Sequence, residues 1–186
     1  LLLDLGALPE AEASAWTGWL DELIGSGRAT RLHAGTGLFW VAAERRSLAD
    51  AIWPEGRFEP EVAEPTARRA PAWSDREGAV VEVIRARLGL VGPTTAAALA
   101  GPLGLTASQV NSALARVEAE GGVLRGRFTP GVAVETLEWC DRRLLARIHR
   151  RTLDRLRREI EPVSAADLMR FLFAWQHVSP GLRLHG

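Results

Sequence analysis

The side chains best suited to chemistry cluster between residues 106 and 117. Ser108, Gln109, Asn111, Ser112 and Arg116 fall on one face of a stretch whose apolar residues, Val110, Leu114 and Val117, recur at helical spacing. A helix that reads a nucleic-acid groove carries such groups near its N-terminus. There it can approach base edges, and the positive end of its dipole meets phosphate. Gln and Asn pair with adenine, and Arg with guanine or phosphate. The same face also suits capping, solubility or docking to protein.

Two further basic groups stand out. Arg125 and Arg127 flank Gly126 in an expected strand, where alternation sets both on one side. That placement suits clamping a phosphate backbone, or simply discouraging edge-to-edge sheet pairing. From Asp141 to Arg170 there are nine arginines and five acids. Arg143, Arg147, Arg151, Arg155 and Arg158 line one face of a predicted helix, opposite Leu145, Ile148, Thr152, Leu156 and Ile160. Asp154 lies four residues from Arg150 and Arg158, and Glu159 four from Arg155, so part of this charge is paired within the helix. Phosphate contact, a solvated face and salt bridges between modules all fit it.

Enzyme signatures are scarce. His33, His149, His177, His185 and Cys140 show no zinc-type spacing. Gly25-Ser26-Gly27 and Gly35-Thr36-Gly37 lack the third glycine and the context of a dinucleotide loop. All 23 basic residues are arginine, so neither a Schiff-base lysine nor a P-loop lysine exists in this stretch. Gln176 and His177, following Trp175 at a helix end, are the only polar pair in an aromatic setting: they either line a site or cap and pack there. No catalytic residue, resident cofactor or metal site is expected.

Composition sets the frame for these groups. The 186 residues are 47% hydrophobic and 25% charged, as in ordinary globular proteins. No apolar run approaches the roughly 20 residues of a membrane span, so no membrane partner is expected. One cysteine excludes internal disulfides and fits a reducing, cytoplasmic setting. Twenty-three bases balance twenty-three acids, so any attraction for DNA must be local.

The elements that position these residues form a mainly α chain with short β-hairpins, an α+β arrangement of tandem winged-helix modules. Residues 1–53 read as the C-terminal part of one module. A helix follows Pro9-Glu10, with Trp16, Trp19, Leu20, Leu23 and Ile24 recurring at helical spacing. A hairpin spans Arg28 to Ala43, and Ser47 caps a helix through Ile52. Residues 54–73, with Pro54, Pro60, Pro65 and Pro71, read as an extended connector that Phe58, Val62 and Trp73 pin to its neighbours.

Residues 74–139 read as a complete module. Ser74 with Glu77 opens its first helix, Thr94 to Ala100 forms the second, and Thr106 with Gln109 opens the third. Strands Val123–Phe128 and Val132–Trp139 close it. Residues 140–186 read as the opening helices of a further module, and the whole as a piece of a longer protein.

The run Glu138-Trp139-Cys140-Asp141-Arg142-Arg143-Leu144-Leu145-Ala146-Arg147-Ile148-His149-Arg150 resembles a signature of the large helicase-related (Lhr) family. So do Glu159 to Asp167, Met169 to Leu172 and Trp175 to Val178. The resemblance implies a parent that is a superfamily 2 ATP-dependent DNA helicase, with ATP and Mg bound by motor domains that have no counterpart here. It implies DNA and the flanking helicase domains as partners, and links such C-terminal regions to DNA repair and to homo-oligomers. A base-excision module similar to winged-helix DNA glycosylases, or a purely structural oligomerisation region, are the other functions compatible with it. With no lysine and no phosphate-cradling loop, the purified chain should show no saturable ATP binding by equilibrium dialysis; saturation would contradict this account.

Overall fold

Apolar side chains that alternate along one central strand feed two separate cores, and the fold builds outward from that strand. The computed structural model describes residues 2–35, 37–65, 73, 75–133, 135–160, 162–178 and 181. Residues 1–146 form one compact unit and residues 147–186 another. The boundaries expected at 53/54 and 73/74 fall within the first unit.

The first unit opens with α1 (Leu2–Leu5), β1 (Leu8–Pro9), α2 (Glu10–Ala13) and α3 (Thr17–Gly25). Then come β2 (Ala29–Ala34), β3 (Gly37–Ala42), α4 (Arg46–Ile52) and β4 (Arg57–Glu59). The expected hairpin is therefore the middle of a four-stranded antiparallel sheet, ordered β1-β3-β2-β4. Phe39 and Val41 of β3 point into the larger core with Leu32 and Phe58. Trp40 and Ala42 point the other way, into a smaller core with Leu8, Ala13 and Leu20. This is the two-residue period of a strand covered on both faces.

Three local expectations differ here. The helix expected from Glu10 to Ile24 is broken by a 3-10 turn at Ser14–Trp16. Trp16, Trp19, Leu20 and Leu23 nevertheless line one groove with Leu2 and Leu3. Ala13 and Leu20 stay buried while Trp16 is 37% and Trp19 68% exposed. Ser47 is not a cap: α4 begins at Arg46, and the Ser47 hydroxyl donates to Glu64 Oε1 at 3.0 Å. The proline-rich stretch is not wholly extended connector. Phe58 pairs with Leu32 in the sheet, the Thr30 hydroxyl donates to the Pro60 carbonyl at 2.6 Å, and Val62 is buried. Residues 66–72, with Pro71, lie outside the described residues.

α5 (Arg76–Leu88), α6 (Ala96–Leu103) and α7 (Ala107–Ala119) follow, then β5 (Val123–Gly126) and β6 (Glu138–Asp141). Asp75 is the N-cap of α5, accepting from the Gly78 amide. Ser74, expected in that role, lies outside the described residues. α6 runs through Pro102 to Leu103, past its expected end at Ala100. Gly104 at φ +60° closes it, with the Leu105 amide donating to the Ala100 carbonyl at 3.1 Å. Thr106 and Gln109 make the expected capping box on α7. Thr94 bridges to Trp139, beside the antiparallel β5–β6 pair. The larger core runs from the sheet through Leu48 and Ile52, across Val83 and Ile84 of α5, to Val110, Leu114 and Val117 of α7.

α8 (Arg142–Glu159) starts straight after β6, with Asp141 Oδ1 accepting from the Leu144 amide at 2.8 Å. The division between the two units falls inside this helix, after Ala146. The second unit holds the rest of α8 and α9 (Ala165–Trp175), which Ser164 caps by accepting from the Asp167 amide at 3.1 Å. No described residue of the second unit is buried.

Leu114 has no accessible surface. Leu114→Ala should lower unfolding free energy by about 2–5 kcal/mol, the usual cost of an aliphatic core truncation. Urea denaturation followed by far-UV circular dichroism measures it.

Candidate nucleic-acid interface

The phase of α7 decides which of its polar groups are available. Val110, Ala113, Leu114 and Val117 are buried at spacings of three and four. Ser108, Asn111, Ser112 and Arg116 are consequently exposed. Gln109 differs: it is half-buried, and its Oε1 accepts from the Thr106 amide at 2.9 Å and the Thr106 hydroxyl at 3.0 Å. Only its amide NH2 remains to donate outward.

Ser108, Gln109, Ser112 and Arg116 share a cleft of about 410 Å³ with the first turns of α5. Its opposite wall is Arg76, Glu77, Val80 and Val81, and Ala113 contributes to the floor. Arg76 is held in place because its Nε donates to the Ile52 carbonyl at 2.9 Å. Arg116 lies 3.7 Å from Glu120 on the next turn, a solvent-exposed pair of small energetic weight. Asn111 is exposed but does not line the cleft.

The β5–β6 region differs from expectation in a way that matters for its arginines. β5 stops at Gly126, so the strand alternation expected to set Arg125 and Arg127 side by side ends before Arg127. Glu138 is the physical cause. Its buried carboxylate accepts from the Phe128 amide at 2.7 Å, the Thr129 amide at 2.8 Å and the Thr129 hydroxyl at 2.7 Å. Amides that would have extended the ladder are satisfied by a side chain, and residues 127–133 and 135–137 are outside any strand. Arg125 lies 3.5 Å from Glu118 and 5.7 Å from the Trp139 ring centroid, so its charge is partly engaged. Arg127 is exposed and has no acidic partner among the described residues.

The α8 arginines fall in both units. Arg143 is on the first turn, in the first unit; Arg147, Arg151 and Arg155 belong to the second. Arg155 pairs with Glu159 at 2.8 Å, as its spacing predicts. Asp154 pairs with Arg157 rather than with Arg150 or Arg158, whose Nε instead donates to the Asp154 carbonyl at 3.1 Å. Arg143, Arg147 and Arg151 are exposed without ion pairs among the described residues.

Two residues escaped sequence reasoning. Arg76 sits four residues before the buried Val80, one helical turn away, and that spacing is the only sign of it. Glu138 carries no local signal at all, since its partners are nine and ten residues away. Among the described residues no three His, Cys, Asp or Glu side chains stand together as a metal site. No described helix is long and apolar enough to cross a membrane. Burial and the neighbouring Asp141 and Glu138 push the Cys140 thiol up, keeping it protonated.

The Thr129 hydroxyl, then the Thr129 and Phe128 amides, hold the Glu138 carboxyl below the ordinary glutamate value of 4.5. A lowered folded-state value stabilises the ionised form. That contribution is complete above 4.5 and is lost as pH falls through the folded-state value. Glu138→Gln should therefore be less stable than the native chain at pH 7 and lose less stability on acidification below 4.5. Thermal melts across that range check both.

No protein-family model matches the chain. Among curated proteins it is similar to one from Mycolicibacterium smegmatis (strain ATCC 700084 / mc(2)155) described as "Lhr helicase/ probable uracil glycosylase". The two are 32% identical over 185 residues, covering 96% of this chain and 12% of that relative's length.

Proposed function

We propose that this chain is an accessory DNA-binding and assembly segment of an Lhr-type DNA helicase acting in repair. The observation that carries the proposal is the exposed polar face of α7, opening on a cleft that Arg76 and Arg116 flank. The order of α5, the Thr94 bridge, α6, α7 and the β5–β6 pair supports a winged-helix reading, with α7 in the recognition position and the segment after Gly126 toward the wing. Similarity to the mycobacterial Lhr helicase along nearly the whole chain supports the parent. The parent's motor domains would bring ATP and Mg.

In this account phosphate contact supplies the affinity. Arg116 and Arg127 of the first unit neutralise phosphates, while Ser112 and Asn111 approach base edges; the second unit, by itself, offers the exposed Arg147 and Arg151 for phosphate contact. Arg125 and Gln109 contribute less, because Glu118 and Thr106 already engage them.

An assembly role draws on the second unit, where Ile160 is 73% and Trp175 70% exposed. Large apolar side chains left in water at that density favour burial against another surface. A uracil-excision role follows the relative's printed description. Release of free uracil from uracil-containing duplex by this chain would replace the accessory role with an enzymatic one.

Zero net charge removes long-range attraction, so duplex binding should be no tighter than roughly micromolar at physiological salt. The slope of log affinity against log salt should be shallow, at about −0.9 per phosphate neutralised. The Arg116→Ala, Arg127→Ala double variant should bind every sequence more weakly and flatten that slope by up to about 2. Fluorescence anisotropy against salt measures it; an unchanged slope contradicts phosphate contact by these residues.

A further inference from the structure

We propose that the α5–α7 cleft receives one unstacked nucleotide of a DNA strand, with its base inside and its neighbouring phosphates on Arg76 and Arg116. This rests on the DNA-binding role above and names the substrate class: duplex DNA carrying an unpaired nucleotide. Four features of the cleft select that occupant. Its volume, about 410 Å³, lies in the range of small-ligand sites and far exceeds what one phosphate fills. Val80 and Val81 give it an apolar wall on which a base can rest, which a bare phosphate does not use. Glu77 adds an acceptor that repels free phosphate yet suits the N–H groups on a base edge.

The guanidiniums supply the fourth feature. Arg76 is oriented by its bond to the Ile52 carbonyl, which engages Nε and leaves both terminal nitrogens for phosphate oxygens. Arg116 stands on the other helix, so the two cations flank the cleft from opposite walls. The Gln109 NH2 group, free because the capping box uses only the amide oxygen, can donate to a base carbonyl. A stacked, paired base cannot enter, since extrusion costs pairing and stacking; a bulged base has already lost its pairing.

The test compares two duplexes with the full chain, identical except that one carries a single bulged 2-aminopurine. The bulged duplex should bind about tenfold more tightly, because less extrusion remains to be done. Its 2-aminopurine emission should rise on binding, since among the described residues no aromatic side chain lines the cleft to stack on it. Arg76→Ala should bring the preference close to unity. Ser112→Trp, an exposed position without a side-chain bond among the described residues, fills the cleft and should abolish both preference and emission rise. Circular dichroism confirms that each variant is folded.

Equal affinity for both duplexes overturns the nucleotide-receiving cleft while leaving DNA binding intact. A preference that survives both variants overturns it as well. Failure to bind either duplex removes the DNA-binding role itself, and the cleft's role with it.

Discussion

Burial of α5 from two directions is the constraint on which residues 1–146 depend. One side meets α4 and the sheet through Leu48 and Ile52; the other meets α7 through Val110 and Leu114. A helix covered this way cannot rotate without emptying one of its contacts. The approach on the first side is close at Gly6, whose φ of +77° already strains any other residue. A Cβ there would stand 2.7 Å from Leu48 and 3.2 Å from Val83. Arg87, 4% exposed near the end of α5, adds an ion pair to Glu12 of α2 at 2.5 Å. Arg87 loses its hydration in that pair while Glu12 stays exposed, so the desolvation cost of the guanidinium offsets much of the attraction.

The candidate interface follows from that fixed helix. α5 presents Arg76 and Glu77 on its first turn only because Val83, Ile84 and Leu88 hold its other turns in the core. α7 packs against it at one phase, so Ser112 and Arg116 face the same cleft rather than opposite sides of the molecule. Glu138 does comparable work at the other end of the module. By accepting from two amides and a hydroxyl, it fixes the chain at Phe128 and Thr129, beside the exposed Arg127. In the second unit no described residue is buried, and Phe171 and Trp175 of α9 are exposed.

Legibility in the sequence tracked the range of the forces involved. The capping box at Thr106 and Gln109, the buried phase of α7 and the pairing of β2 with β3 rest on interactions within a few residues, and all are readable from spacing. The two-residue β1 and three-residue β4 exist only because β3 and β2 are there to pair with them. No local pattern could announce either, least of all beside Pro9 and Pro60. Trp16 and Trp19 do share a groove with Leu20 and Leu23, as their spacing predicts, but no described residue covers it, and of the four only Leu20 is buried. At the candidate interface, residue types were readable but their engagement was not. Glu118 beside Arg125 and Thr106 on the Gln109 amide are tertiary and capping contacts that change what each side chain can offer.

Because every basic residue is an arginine, the Nε–Hε resonances report all the cations of this chain in one spectrum. Titrating the isotopically labelled protein with duplex DNA is therefore the most direct test of engagement through the α5–α7 face and the loop beyond it. The account predicts that Arg76, Arg116 and Arg127 shift together and saturably, while Arg87, buried against Glu12, does not move. A spectrum in which those three stay fixed as DNA is added would contradict it.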